Sequence, residues 1–459
     1  MKWKILISDN LAPEGQAILK QDPQVELDAR EKVDAAELLR IIPEYDALIV
    51  RSASKVTAEV IAAAERLKVI GRAGVGLDNV DVPAATRRGI VVMNAPDGNT
   101  ISTAELTFSM LMALSRNIPQ ADASMRNGKW ERKKFMGTEL FGKTLGIIGL
   151  GRIGTEVAKR ALAFGMRVVA YDPFITPDKA AQLGVHIASV EDMLPQVDYL
   201  TLHTPKTKET EGLIGRKEIA RMKPTARILN CARGGLIRQQ DLRDALTEGR
   251  LAGAALDVYD SEPPQDPVLL GLPNVILTPH LGASTEEAQV NVAVVMAEQV
   301  LDALYGRIYR NAVNIPSVPT EVFKELTPYL NLAERLGSFQ AQMLDGQLQR
   351  VEVTFAGEVA KLQTDFITSA ALKGLLSRML SDTVNYVNAR VQARERGLEV
   401  KETRTGDAVE YMSAVGVKVA TDKGEREIIG TLTGIKRAPR VVSLFGYHAD
   451  FAPEGMLLV

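Results

Sequence analysis

Cysteine is nearly missing from this chain, which has one, Cys231, in 459 residues. That excludes an intrachain disulfide and fits a reducing cytoplasm, the expected location. An excess of charge is missing too: 55 basic residues face 57 acidic ones, for a net charge of −2. No bulk potential draws the protein to nucleic acid or to an anionic membrane, and neither is expected as a partner. Every long apolar stretch is broken by charge or glycine, so no membrane span is expected. The start, Met1-Lys-Trp-Lys-Ile-Leu-Ile-Ser-Asp, enters a strand at once without the apolar core of a secretory leader. No Cys/His cluster has metal-site spacing, and no metal is expected. Repeats and low-complexity segments are also lacking.

The apolar fraction of 46% and charged fraction of 24% are those of a soluble globular protein. The length calls for roughly two to four domains. Over the first 95 residues, strand-like runs at Lys4–Ser8, Ala47–Val50, Lys68–Gly71 and Ile90–Asn94 alternate with amphipathic segments. This βα pattern implies a parallel sheet covered by helices. Asn94-Ala-Pro-Asp-Gly-Asn99 punctuates the chain, and a helix is expected from about Ser102 to Arg126. A second βα series runs from Thr144 to Pro279. A helix then extends to about Tyr305, expected to pack back on the first domain, and Asn311–Pro319 reads as a linker. Beyond it, Glu321–Asp345 and Asp365–Arg396 look helical, and Arg350–Phe355, Glu410–Ala420 and Glu425–Thr433 look like strands. Thr421-Asp-Lys-Gly424 is a hairpin turn. The final Glu454-Gly-Met-Leu-Leu-Val459 stops on an apolar run, like a strand cut short.

Thr144-Leu-Gly-Ile-Ile-Gly-Leu-Gly-Arg-Ile-Gly-Thr-Glu-Val-Ala is a strand, a glycine turn and a helix start. Gly149 and Gly151 allow the turn and close approach to a pyrophosphate, and Gly154 allows helix–strand packing. The helix N-terminus offers N–H groups to the phosphates. The next strand ends on Asp172, where a carboxylate takes the ribose hydroxyls and repels a 2′-phosphate. No arginine follows it, so NAD is the expected cofactor. The fold class is therefore α/β: two doubly wound parallel-sheet (Rossmann-like) domains plus a C-terminal α+β domain.

Three later apolar runs each end on a residue suited to hydride chemistry. Ala226–Cys231 leads to Arg233, Gly253–Asp257 to Glu262, and Val275–Thr278 to His280. Side chains at the carboxyl ends of parallel strands converge on the ligand crevice. His280 is suited to take a hydroxyl proton, since imidazole titrates near neutrality. Glu262 beside it would fix one tautomer and stabilise the imidazolium. Arg233, next to Gly234-Gly235, could clamp a carboxylate and polarise the adjacent carbonyl. Taken alone, His280 reads as an ordinary loop histidine and Glu262 as a solvated acid; jointly the three point to a site. His203 lines the cofactor pocket or caps a strand, and Cys231 reads as a packed wall residue.

In the first domain, Arg51-Ser52 and Arg72-Ala-Gly74-Val-Gly76 also follow strands. Arginine with glycine-exposed amides makes an anion site, although each arginine alone could equally be a surface ion-pair residue. The basic segment Lys129-Trp-Glu-Arg-Lys-Lys-Phe135 fits a subunit interface or an extra phosphate contact better than nucleic acid.

The chain resembles the D-2-hydroxyacid dehydrogenases. The matching stretches are Arg51-Ser-Ala-Ser-Lys-Val-Thr57, Gly71-Arg-Ala-Gly-Val-Gly-Leu-Asp-Asn-Val-Asp81, Gly128–Gly137, the glycine turn, Asn230-Cys-Ala-Arg-Gly-Gly235, Ala254–Val258 and Pro279-His-Leu-Gly-Ala-Ser-Thr285. The resemblance implies that Arg233, Glu262 and His280 are catalytic. It implies that Gly149, Gly151, Arg152, Ile153, Gly154, Asp172, His203, Thr204, Cys231, Ala232, Asp257 and Val75 surround NAD. Arg51, Ser52, Arg72, Gly74 and Gly76 would bind a substrate charged at both ends, D-3-phosphoglycerate. Trp130 would pack against a neighbouring subunit in a homodimer or homotetramer. The implied partition is a substrate-binding domain (1–97 and 285–314), an NAD-binding domain (98–284) and an intervening domain (316–459). The ACT-type domain that normally follows, sensing serine, is not expected in this chain. Lys436, Arg437 and Arg440 read as a solvated basic face, or else as an effector-anion site. A reductase of hydroxypyruvate or glyoxylate, and an NAD-sensing corepressor scaffold, are the alternatives.

Overall fold

The computed structural model describes residues 2–265, 267–316, 320–380, 383–406 and 411–455. The chain forms two compact units, Met1–Pro96 with Val292–Val459, and Asp97–Asn291. Residues 317–319, 410 and 456–459, on which parts of the linker and strand expectations rested, lie outside the described residues.

The first unit begins with a parallel sheet of β1 (Trp3–Ile7), β2 (Val25–Ala29), β3 (Ala47–Val50), β4 (Val69–Arg72) and β5 (Val91–Asn94). Their order is β2-β1-β3-β4-β5. Side chains alternate between two buried layers, as a sheet covered on both faces requires. Ile5, Ile7 and Ile49 join the layer of Leu19, Met296 and Val300, while Leu6, Leu48 and Ile70 join that of Leu38, Val60 and Ile61. The sequence reading missed β2. Val-Glu-Leu-Asp-Ala is a charged edge strand without a clean apolar face.

Asn311–Asn314, expected as linker, instead closes the other edge of this sheet. Ala312 pairs antiparallel with Met93, and Asn314 accepts from Val92 N at 2.9 Å and donates to Ile90 O at 2.8 Å.

A third sheet belongs to the same unit. It contains β13 (Leu348–Gly357), β14 (Glu399–Thr405), β15 (Ser413–Thr421), β16 (Gly424–Thr433), β17 (Ala438–Leu444) and β18 (Tyr447–Phe451), in the order β14-β13-β15-β16-β17-β18. The strands expected at 350–355, 410–420 and 425–433 correspond to β13, β15 and β16. β14, β17 and β18 were missed because they are short of buried residues. Helices Thr320–Gln342 and Thr364–Leu376 pack closely together, since a Cβ on Gly374 would lie 1.9 Å from Glu334 O and one on Gly337 2.0 Å from Ala371 O. The helix expected over 365–396 is two, Thr364–Leu376 and Ala389–Glu395. Between them Asn385 Nδ2 donates to Gly89 O at 2.6 Å and Asn388 Nδ2 to Arg87 O at 3.3 Å. These bonds cap the carboxyl end of helix Val82–Arg88. Lys436 and Arg437 sit in the exposed β16–β17 turn, and Arg440 pairs with Asp450 at 2.7 Å.

The second unit is a seven-stranded parallel sheet. Its strands are β6 (Thr144–Ile148), β7 (Arg167–Tyr171), β8 (His186–Ile187), β9 (Tyr199–Leu202), β10 (Arg227–Asn230), β11 (Gly253–Leu256) and β12 (Val275–Leu277). The order β12-β11-β10-β9-β6-β7-β8 reverses direction between β6 and β9, the switch point at which such sheets bind ligands. The helix expected from 102 to 126 is broken into Thr100–Arg116 and Ile118–Arg126. Asn117 stands in the left-handed region at φ 51°. Pro119 has no N–H for the carbonyl of Ser115, which accepts from Thr138 N at 2.9 Å instead. No helix among the described residues is long and apolar enough to cross a membrane.

The glycine contact between the two helices gives a stability prediction. Gly374→Ala should destabilise the protein by roughly 1–3 kcal/mol or more through overpacking. Thermal unfolding measures it; a midpoint equal to the wild type would show that the helices separate freely.

Candidate active site

The expected catalytic residues and, Val75 aside, the expected cofactor residues sit at the carboxyl ends of strands in the second unit. After β6, Gly149 turns the chain at φ 95°, where a Cβ would lie 2.5 Å from His203 O. Gly151 starts the helix Arg152–Ala163, which has no side-chain cap, and a Cβ there would meet nothing within 4 Å. A Cβ on Gly154 would lie 2.1 Å from Gly149 O. The three glycines therefore do different work: Gly149 bends, Gly154 packs, and Gly151 leaves open space beside uncapped helical N–H groups. Asp172, at the end of β7, accepts from Leu150 N at 2.8 Å inside the turn and from Phe174 N at 2.8 Å. Arg152 forms an exposed ion pair with Asp97 at 2.5 Å, and Ile153 is half-buried.

At the end of β9, His203 Nε2 meets Thr201 Oγ1 at 3.1 Å. His203 Nδ1 and Thr204 Oγ1 are buried without a hydrogen-bond partner among the described residues. Buried polar atoms left unpaired beside a glycine turn fit a ligand that would satisfy them. Burial pushes the His203 imidazole down to about 4, so it is neutral near pH 7.

β10 leads into Cys231, Ala232 and Arg233. Cys231 is 5% exposed, with Sγ 3.6 Å from Met110 Sδ. Burial pushes its thiol up to about 12, which makes it a wall rather than a nucleophile. The Arg233 turn is held by Asn230, whose Oδ1 accepts from Ala232 N at 3.0 Å and whose Nδ2 donates to Arg233 O at 2.8 Å. Gly234 passes so close to the next strand's loop that a Cβ would lie 1.8 Å from Tyr259 O.

The loops after β11 and β12 bring Glu262 and His280 together. Glu262 Oε2 lies 2.8 Å from His280 Nδ1, and Oε1 accepts from Tyr259 N at 3.3 Å. This pairing fixes the proton on Nδ1 and leaves Nε2 as the acceptor. His280 has φ 54°, a backbone region costly for a residue with a Cβ. Asp257, fully buried, holds it there. The Asp257 carboxylate accepts from Thr278 Oγ1 at 2.6 Å, Leu281 N at 2.7 Å and Gly282 N at 2.9 Å, and its carbonyl from His280 N at 3.0 Å. Ser102 and Thr103 hold the Gly282 carbonyl at 2.6 and 2.9 Å. Tyr259 Oη donates to Thr278 O at 2.8 Å. The sequence reading gave no role to Asn230, Ser102, Thr103 or Tyr259, and it named Asp257 as a cofactor contact without its bracing of the histidine loop. Polar residues buried at strand ends were the available signal.

In the first unit, Arg51 N donates to Asp9 Oδ2 at 2.6 Å and its guanidinium to Asn10 O at 3.0 Å. Burial lowers the Arg51 pKa from its ordinary value. Ser52 is exposed. Arg72 lies against Gly74, where a Cβ would fall 1.6 Å from Nη1, and Asn94 Nδ2 donates to Val75 O at 2.6 Å. Val75 and Gly76 are half-buried. No group of three or more His, Cys, Asp or Glu among the described residues could hold a metal ion.

Two predictions come from this geometry. Gly151→Ala should keep the wild-type unfolding midpoint while weakening NAD binding by roughly tenfold, about 1.4 kcal/mol. Gly154→Ala should lower the midpoint itself. NAD titration and thermal melts on both variants separate the roles, and equal effects in the two would contradict the division. The second concerns pH. The folded value of His203 lies below its ordinary 6.5, so the unfolded chain holds the proton more tightly. Its contribution to stability is complete above about pH 6.5 and is lost as pH falls towards 4. Urea midpoints should therefore decline less between pH 7 and 5 in His203→Asn than in the wild type; parallel declines would refute it.

Residues 108–282 match the model of the D-isomer specific 2-hydroxyacid dehydrogenase NAD binding domain. Residues 325–445 match that of the D-3-phosphoglycerate dehydrogenase intervening domain. The chain is 48% identical over 457 residues to a D-3-phosphoglycerate dehydrogenase of Methanocaldococcus jannaschii, covering 99% of this chain and 86% of that one. It is 49% identical over 430 residues to one of Synechocystis, covering 94% and 77%. Among solved structures, D-lactate dehydrogenase from Aquifex aeolicus, complexed with NAD and lactic acid, is similar over 68% of this chain and 100% of that one. The TM-score is 0.62 at 28% identity. The chain belongs to the D-isomer specific 2-hydroxyacid dehydrogenase family and, within it, to the D-3-phosphoglycerate dehydrogenases.

Proposed function

We propose that this protein oxidises D-3-phosphoglycerate to 3-phosphohydroxypyruvate with NAD, the first step of phosphorylated L-serine biosynthesis. The observation that carries the reading is the His280–Glu262 pair at 2.8 Å, on strand ends of an NAD-binding domain. Relatives named D-3-phosphoglycerate dehydrogenase, matched over nearly the whole chain, support the substrate. Bound NAD supplies the hydride acceptor. Asp172 would take the ribose hydroxyls, the Gly149–Gly154 turn the pyrophosphate, and Thr204 and His203 the groups that satisfy their buried atoms.

His280 Nε2 takes the proton of the C2 hydroxyl, because Glu262 keeps the other ring proton on Nδ1. Arg233 binds the substrate carboxylate as a bidentate partner and steadies the oxygen on C2 as it becomes a carbonyl. Arg51, Ser52, Arg72 and the Gly74–Gly76 backbone are assigned to the second anionic group of the substrate. Under this reading residues 1–97 with 285–314 bind substrate and 98–284 bind NAD. Exposed Trp130, Met136 and Phe141 on the NAD-binding unit support a homodimer or homotetramer formed through that unit. The cytoplasm is the proposed location.

NADH formation with D-3-phosphoglycerate at alkaline pH tests the reaction. Turnover of glycerate, glyoxylate or hydroxypyruvate in its place would move the protein to another branch of the family. His280→Ala should lower kcat by about 10²–10⁴-fold, and Glu262→Gln by a smaller factor. A His280→Ala enzyme that kept its rate would end the proposed mechanism.

A further inference from the structure

The loop Arg51–Ser54, which follows β3, is tied at both ends and from both sides. On one side Asp9 Oδ2 accepts from Arg51 N at 2.6 Å and from Ser54 N at 3.2 Å, while Oδ1 accepts from Ser54 Oγ at 2.8 Å. On the other side Asn79 Nδ2 donates to Arg51 O at 2.6 Å and to Ser54 O at 2.6 Å. Asp9 and Ser54 are buried, and Ser8 Oγ donates to Ser54 Oγ at 2.8 Å. Asn79 is anchored in turn, because its carbonyl accepts from Val56 N at 2.8 Å and Val56 pairs with Val80.

All four backbone polar groups of Arg51 and Ser54 are therefore fixed inward. The middle residues, Ser52 and Ala53, are exposed, and their N–H groups have no protein partner among the described residues. Two successive free amides beside a guanidinium make an anion-binding concavity. A turn as short as this keeps such a shape only if its ends are held, since ordering each residue costs conformational entropy. Asp9 also sets a negative charge behind Arg51, which offsets the burial of the guanidinium.

We propose that the Ser52 and Ala53 amides join Arg51 in binding the phosphate of the substrate, and that Asp9 and Asn79 are positioning residues that hold the loop for it. The inference rests on the functional reading above and names the groups behind its phosphate preference. Neither Asp9 nor Asn79 touches substrate; each acts through the loop.

The test compares D-3-phosphoglycerate with D-glycerate, which lacks the phosphate, using the full chain. Asn79→Ala should raise KM for D-3-phosphoglycerate about tenfold while changing kcat much less, since two backbone tethers are lost. The preference for the phosphorylated substrate should fall by the same factor. The inhibition constant of inorganic phosphate should rise with it. Asp9→Asn should act in the same direction. Ser54→Ala removes only the hydroxyl tether to Asp9, so it guards against variants that fail to fold, and about a threefold shift is expected. A folded Asn79→Ala or Ser54→Ala enzyme with the wild-type preference overturns the proposal, as does a variant in which kcat falls while the preference stays. A wild-type enzyme that ignores D-3-phosphoglycerate removes the functional reading first, and this inference with it.

Discussion

A buried carboxylate bears most of the organisation of the catalytic side. Asp257 stands fully buried at the end of β11, where a bare charge would be costly, and among the described residues every bond it accepts comes from the segment Thr278–Gly282. The charge is tolerated because these donors are fixed, and the donors are fixed because the charge is there. Out of that exchange comes a histidine at φ 54°, a conformation that an isolated loop would leave. The Glu262 contact with His280 can form only once this backbone is set. Asn230 does comparable work one strand away, closing the turn on which Arg233 rides.

The same economy appears at the glycine turn. Gly149 and Gly154 are excluded from carrying side chains by neighbouring carbonyls, whereas Gly151 has no neighbour at all within reach. The first two are demands of the fold, and the third is a demand of what the fold must hold. A Cβ on Gly149 would meet His203 O and Thr204 Cγ2, so the two residues with unpaired side-chain atoms border the turn. Unsatisfied polarity thus borders the glycine turn at the sheet's switch point.

Much of this was legible in the sequence, for physical reasons. Buried parallel strands read as short apolar runs, so β3, β6, β9 and β10 stand out, and the residues closing them stand out as well. Edge strands do not: β2 and β14 carry charge to discourage pairing with other chains, which erases the pattern that would reveal them. The break at Asn117 was hidden because Pro119 can start a helix as readily as end one. Asp9 and Asn79 could not be read as a pair, since they meet the same loop from opposite sides and from distant parts of the chain. Hydrogen bonding across long separations leaves no periodicity. The Glu262–His280 contact is equally non-local, but chemistry announces it where periodicity cannot.

The amides of Asn385 and Asn388 reach back to the carbonyls of Gly89 and Arg87, at the end of a helix that belongs to the first sheet. A Cβ on Gly89 would lie 2.6 Å from Asn385 Nδ2, so the two surfaces are fitted to each other as a core would be. The first and third sheets therefore cohere within one compact unit. Without Asn385 and Asn388 the carboxyl end of helix Val82–Arg88 would lose these partners, and water alone would have to replace them.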